Sequence, residues 1–365
     1  MIDKRRLHHI DLYLIANVLG IFAIGMLTLI SATSSLGSKT FVLKQILAFF
    51  IGLIFVTFIL YFDYRTFVSY AFYLYIFGLF LILLVFLFGT VAGGARRWLS
   101  IFGLSLQPSE FMKPILIILF GNLLHEKMKS GSPLGLKDVA KPLLFSALPA
   151  SIIAKQPDLG TACVILIVCL CVIWFVGLKK STFFVLLFSG FTLAFLAWKY
   201  ALEPYQKLRI IGLFNPDIDP SGVNYHARQA TIAIGSGKVF GKGFLSGTQH
   251  KLNFIPEHHT DFIFAVFAEE WGFLGSIFLF ILFASMVLRC LKIAKDTQDE
   301  MGSIIVFGST TIIFSQFAIN VLMTLRLFPV VGIPLPFLSY GGSSLVSMMC
   351  LIGLILNVNM RRYMF

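Results

Sequence analysis

The apolar residues of this chain come in long runs. From Leu12 to Val358 the runs recur at near-spanning length, with short polar segments between them and no stretch long enough for a separate soluble domain. About 20 apolar residues cross a bilayer core as a helix. The pattern predicts about ten such spans, at 12–32, 45–62, 67–91, 111–124, 142–154, 160–178, 182–199, 262–288, 303–325 and 343–358. The expected fold is therefore an all-α polytopic membrane protein, one transmembrane domain over 1–365. The first run is longer than the apolar stretch of a signal peptide and the next spans follow closely, so it is read as a retained helix. The fifth span is short and interrupted by Pro149.

Charge decides whether that fifth span crosses. If it does, the short segments on the N-terminal side carry fifteen lysines and arginines. The opposite short segments then carry six: Lys39, Lys44, Arg96, Arg97, Lys155 and Arg326. If it does not, every later loop changes sides and the bias weakens. The positive-inside rule favours crossing, with both termini cytoplasmic. Residues 200–261 then form one large extracytoplasmic loop between helices 7 and 8. Loops of this length in compact proteins are functional or disordered. Apolar residues throughout it, among them Leu208, Ile210, Ile211, Phe240 and Phe254, predict a segment folded against the membrane surface.

Composition agrees with the membrane reading. Hydrophobic residues make up 58% and charged residues 13% of the chain, about half the charged fraction of a soluble protein. The net charge of +12 lies in short segments between apolar runs, as anchoring at an anionic leaflet requires. No basic helix or interleaved aromatic–basic patch of the kind that binds single strands is present, so nucleic acid is not an expected partner. The five cysteines sit in or beside apolar helices and read as packing residues, not as a disulfide framework.

Ionisable groups at membrane depth are costly and mark function. Glu110 and Lys113, three residues apart on one helical face, are either a self-neutralising pair or part of a site. Asp158, in Gln156-Pro157-Asp158-Leu159-Gly160-Thr161, and Asp261, in Pro256-Glu257-His258-His259-Thr260-Asp261, each stand at a predicted helix start, where an acid can simply be a cap. Glu269 and Glu270 lie about 12 Å deeper than Asp261 at 1.5 Å per residue, and one of them is expected to meet a basic group on a neighbouring helix. Gly235-Ser236-Gly237-Lys238-Val239-Phe240-Gly241 imitates a phosphate loop without its spacing and reads as a flexible or tightly turned loop. Adjacent His258 and His259 make a poor zinc chelate.

Taken in order, several pieces are more specific than their physics. They are Gly94-Ala95-Arg96-Arg97-Trp98-Leu99, Gln107-Pro108-Ser109-Glu110 with Lys113, the Gln156 to Thr161 stretch, and His259-Thr260-Asp261-Phe262. Ala268-Glu269-Glu270 and Gly332-Ile333-Pro334-Leu335-Pro336-Phe337-Leu338-Ser339-Tyr340-Gly341-Gly342-Ser343-Ser344 complete the set. In these the chain resembles the SEDS family (shape, elongation, division and sporulation proteins), the membrane peptidoglycan polymerases. The stretch Gly247-Thr248-Gln249-His250-Lys251-Leu252-Asn253-Phe254 and the short N-terminal tail resemble the RodA branch.

The resemblance implies a peptidoglycan glycosyltransferase of the cytoplasmic (inner) membrane, polymerising lipid II into β-1,4 glycan on its outer face for elongation and rod shape. The donor is an undecaprenyl-pyrophosphate-linked disaccharide-peptide, and transfer inverts its anomeric centre. Asp261 matches the family's essential aspartate and is the expected base. Arg97, Lys113, Arg209, Arg228 and Lys242 are candidate cations for the departing pyrophosphate. Glu110, Asp158, Glu269, Glu270 and Ser343 complete the expected substrate site. No organic cofactor is implied, while a divalent cation, Mg or Mn, could share the pyrophosphate. Implied partners are a class B penicillin-binding protein (a transpeptidase), other elongation-complex membrane proteins and membrane lipid. A lipid II flippase and a non-catalytic scaffold of the wall machinery are the competing readings. The acids concentrate in the outer half of the spans, whereas a flippase requires a polar path through to the inner side.

Overall fold

The structure is a computed structural model and describes residues 10–34, 39–92, 95–101, 104–215, 225–248 and 259–362. Its helices, in chain order, are α1 (Leu12–Ala32), α2 (Thr40–Tyr61), α3 (Tyr64–Ser69), α4 (Ala71–Phe88), α5 (Pro108–Lys129), α6 (Leu136–Lys155) and α7 (Leu159–Val176). They continue with α8 (Lys180–Leu196, extended by a π turn at Ala197–Ala201), α9 (Pro204–Phe214), α10 (Tyr225–Ser236), α11 (Ile263–Asp296), α12 (Glu300–Thr324) and α13 (Gly342–Arg361). Between α4 and α5 lies an antiparallel meander of β1 (Thr90–Ala92), β2 (Ala95–Ile101) and β3 (Leu104–Leu106), with Thr90 opposite Trp98 and Leu99 opposite Leu106.

Eight of these helices are long and apolar enough to cross a membrane: α1, α2, α4, α7, α8, α11, α12 and α13. Two more, α5 with 22 residues and α6 with 20, have the length but carry more charge, about 30 Å each at 1.5 Å per residue. A helix therefore stands at each of the ten expected positions. The fifth is longer than its apolar run suggests, because α6 continues through Pro142 and Pro149.

The two ends of the bundle can be told apart by their ion pairs. Asp11, the cap of α1, meets Arg289 near the end of α11 at 2.6 Å, and Arg362 meets Asp296 at 3.5 Å. Asp11 and Arg362, near the two limits of the described residues, therefore share one end of the bundle. The start of α11, with Asp261, lies at the other.

Two features position that second end. Gln45, buried in α2, donates to Ser339 O at 3.0 Å and accepts from Gly341 N at 3.1 Å, fixing the proline-containing segment that leads into α13. The other is a break in α11 at Gly272, with φ 66° and ψ −162°, a conformation essentially confined to glycine. A broken helix leaves carbonyls and amides without intrahelical partners, which is costly in a membrane protein. Residues 238–243 supply them. Lys242 N and Gly243 N donate to the carbonyls of Glu269 and Glu270 at 3.0 and 2.9 Å. Phe273 N and Leu274 N donate to the carbonyls of Lys238 and Val239 at 2.9 and 3.1 Å. A Cβ on Gly237 or Gly241 would lie 2.2 Å from Ala268 O or 2.1 Å from Glu270 O. The glycine-rich stretch that imitates a phosphate loop is thus a backbone insert whose glycines permit close approach.

Candidate active site

Asp261 belongs to a turn that two distant segments hold by its backbone. Tyr340 N donates to His259 O at 2.9 Å and Ser339 Oγ to Thr260 O at 2.6 Å. Asn320 Nδ2, from α12, donates to Asp261 O at 2.9 Å and to Ile333 O at 2.7 Å. Phe41, His259 and Tyr340 pack ring to ring above the turn, with centroids 4.9 to 5.9 Å apart. The cap position of α11 is Phe262, whose side chain makes no capping bond. Asp261 is therefore not the N-cap that its sequence context allows. Its carboxylate instead lies against bare backbone: a Cβ on Gly332, itself at φ +69°, would be 3.3 Å from Asp261 Oδ2.

Arginines share this end of the bundle. Arg209, on α9, donates to Val330 O at 2.8 Å and stacks over Tyr205 at 5.7 Å. Burial holds its guanidinium below the ordinary arginine range, opposed by the attraction of Tyr205 and Asp261 and reinforced by repulsion from Arg97. That set of couplings puts Asp261, Arg209 and Arg97 in one electrostatic neighbourhood. Arg97, on β2, donates from Nε to Gln156 O at 3.1 Å and from Nη2 to Pro157 O. It thus braces the turn that carries Asp158.

Asp158 is a cap, accepting from Thr161 N at 3.2 Å, and it also accepts from Gln107 Nε2 at 3.0 Å. Ser343 Oγ accepts from Gln107 N at 2.9 Å and donates to Ser105 O at 3.1 Å. Three motifs far apart in sequence therefore meet around Gln107.

The remaining expected residues stand elsewhere. Lys113 Nζ donates to both carboxylate oxygens of Glu110 at 2.8 Å, and both side chains are buried. That is the self-neutralising arrangement. Glu269 accepts from Lys242 Nζ at 2.6 Å. Its basic partner comes from the large loop and not from the neighbouring helix expected, and Lys242 is an ion-pair partner before it is a candidate for phosphate. Glu270 accepts from Ser31 Oγ on α1. Arg228 is exposed on α10 and has no partner among the described residues. His258 lies outside the described residues.

Three residues matter here that the sequence does not single out. Gln45 and Asn320 are lone amides inside apolar runs, a signal that a search for charges passes over. Arg326 counts in the sequence only as an outward charge. It lines an open cleft with Arg209, Ala227 and Val330, and its guanidinium makes no hydrogen bond among the described residues.

Fold and site together define a multi-pass membrane protein with a carboxylate and arginines gathered at the end of the bundle opposite Asp11 and Arg362. The chain belongs to the FtsW, RodA and SpoVE family of cell cycle proteins, whose profile it matches over residues 7–364. It is 37% identical to the peptidoglycan glycosyltransferase MrdB of Escherichia coli (strain K12) over 303 residues, 82% of this chain and 80% of that protein. The crystal structure of the rod shape determining protein RodA of Thermus thermophilus superposes with a TM-score of 0.73 at 28% identity, covering 97% of this chain and 98% of that one. A chain of a solved peptidoglycan synthase complex, described as coordinating polymerization and crosslinking, superposes with a TM-score of 0.82 at 29% identity, covering 98% and 99%.

Proposed function

We infer that this chain is a peptidoglycan glycosyltransferase of the inner membrane, and that it polymerises lipid II on the outer face in the manner of the RodA branch. The observation that carries the chemistry is the placement of Asp261. Its carboxylate is half-buried, set in a turn fixed through its carbonyls, and lies within the field of Arg209.

In the proposed transfer the acceptor's 4-hydroxyl oxygen attacks the anomeric carbon of the donor. The bond from that carbon to pyrophosphate breaks, and its electron pair leaves with the phosphate oxygen. The hydroxyl proton passes to Asp261. An ionised carboxylate is a weak base, so its contribution is to hold the hydroxyl in line and receive the proton as the bond forms. Arg209 and Arg326, lining one cleft, supply fixed positive charge for the departing pyrophosphate. Arg97 contributes more by bracing the Asp158 turn than as a free cation, because its guanidinium is already bonded to backbone carbonyls.

A divalent cation remains a proposal. Magnesium is commonly held by one or two carboxylates together with substrate phosphates, and Asp261 would be the carboxylate to hold it. The transfer described runs through the protein's own residues and not through a metal. The likeness to a chain of a synthase complex supports a class B penicillin-binding protein as partner.

The test is Asp261→Asn. Asparagine keeps the size but cannot take the proton, and the melting temperature read on the same samples separates lost chemistry from lost folding. Polymer from labelled lipid II should fall roughly 10²–10⁴-fold, the usual contribution of a positioned base. Near-normal glycan from a folded Asp261→Asn protein would remove Asp261 from the chemistry.

A further inference from the structure

Glu269 lies on α11 about 12 Å beyond Asp261 along the helix, with no accessible surface. It is held by more partners than neutralising one charge requires. Its Oε1 accepts from Lys242 Nζ at 2.6 Å, from Thr248 N at 2.9 Å and from Thr248 Oγ1 at 3.0 Å. Lys242 Nζ also donates to Thr248 Oγ1 at 2.9 Å, which closes a ring of three residues. Ser236 Oγ, on the last residue of α10, is 3.5 Å from the same oxygen. These partners come from one stretch, 236–248, which begins where α10 ends.

α10 is also the element behind the catalytic turn. Its Ala230 and Ala233 are buried against Phe262 and Ala265, and small side chains at such a contact let two backbones approach closely. Phe262 is the neighbour of Asp261. The turn thus has two supports. Asn320, Ser339 and Tyr340 hold its carbonyls from one side, and α10 wedges Phe262 from the other. Sliding α10 along α11 would turn Phe262, and the carboxylate beside it, without breaking any bond of the first support. What resists that slide is the anchoring of 236–248 on Glu269 and in the break at Gly272.

We propose that the ring of Glu269, Lys242 and Thr248 positions Asp261: it sets the register of α10 on α11 and so the direction of the catalytic carboxylate. Glu269 is then a positioning residue, and the proposal rests on the reading of Asp261 as the base.

The experiment compares Glu269→Gln, Lys242→Met and Lys242→Arg in the full chain, by steady-state polymerisation of lipid II and by melting temperature on the same samples. The expected result is a fall in kcat of tenfold or more for the first two, with KM for lipid II changed less than twofold. Combining them should be no worse than either alone, because one interaction is lost. Lys242→Arg, which keeps the charge, should retain most of kcat. Lys242 is partly exposed, so its variants report on the ring even if Glu269→Gln folds poorly. Unchanged kcat in folded Lys242→Met and Glu269→Gln overturns the proposal, and so does a rise in KM at constant kcat, which marks a substrate contact instead. Asp261→Asn is assayed alongside. If it is inactive while the ring variants are active, only this inference fails; if it is active, the reading of the reaction fails first.

Discussion

α8 and α13 have nearly the same mean hydropathy over their most apolar stretches, 1.8 and 1.7, yet 6% of one and 89% of the other is buried. The difference lies in where the polar side chains bond. α8 carries Ser181, Thr182, Ser189 and Thr192 among its phenylalanines, but Ser189 and Thr192 donate to Leu186 O and Phe188 O of the same helix, both at 3.0 Å. α13 carries Ser347, which donates to Glu110 O at 2.8 Å. It also carries Asn357, which donates to Phe62 O at 2.8 Å and accepts from Tyr64 N at 3.2 Å. Lipid tails are as apolar as leucine, so hydrophobicity alone gives a helix no reason to leave them; packing and interhelical hydrogen bonds do. Hydropathy finds the spans, and the polar minority decides which of them are central.

The sharpest way to break this contrast is to remove half of a central ion pair. Glu110→Gln leaves the ammonium of Lys113 buried without its counter-charge and should cost about 3–5 kcal/mol. The double change Glu110→Gln with Lys113→Met should recover most of it, since a buried pair replaced by neutral residues of similar size is often tolerated. Melting or denaturant titration of the purified protein reads both. A double variant as unstable as the single one would mean that the pair does more than neutralise itself.

A smaller effect is expected where backbones touch. A Cβ on Gly25 of α1 would lie 2.7 Å from both Leu338 Cα and Phe337 O. Gly25→Ala should therefore cost about 1–3 kcal/mol, the usual penalty of overpacking, and a neutral result would show that α1 can move away. The smallest effect has the opposite sign. Gly190 of α8 has nothing within 4 Å of its Cβ position, so Gly190→Ala should leave stability unchanged or raise it by up to about 1 kcal/mol through helix propensity. Destabilisation there would place α8 inside the bundle.

The same contrast explains what was legible in the sequence. Eight spans could be read from apolar runs because a helix crossing lipid needs only its own residues. Asp261 and Asp158 could be picked out because a carboxylate at membrane depth is rare, and the motifs around them carry the family resemblance. The peeled position of α8 could not be read, since 180–199 looks as hydrophobic as any central span. Nor could the roles of Gln45 and Asn320. Each fixes the carbonyl or amide of a residue far along the chain, such as Ser339 for Gln45 and Asp261 for Asn320. An amide gives no hint in advance of which distant backbone it will serve. Gly237 and Gly241 misled for a related reason. Glycines read locally suggest mobility or a tight turn, and only the break at Gly272 shows that they make room for a second backbone.

That break also bears on how the protein comes to be made. A helix interrupted at Gly272 would enter the bilayer with four peptide groups seeking partners, if it entered alone. The partners in 238–243 are encoded before it, so on a nascent chain threading outward they have emerged by the time α11 leaves the translocation machinery. Order of synthesis thus supplies the complement in advance, and a discontinuous helix that would insert poorly as an isolated segment can settle against a backbone segment already made.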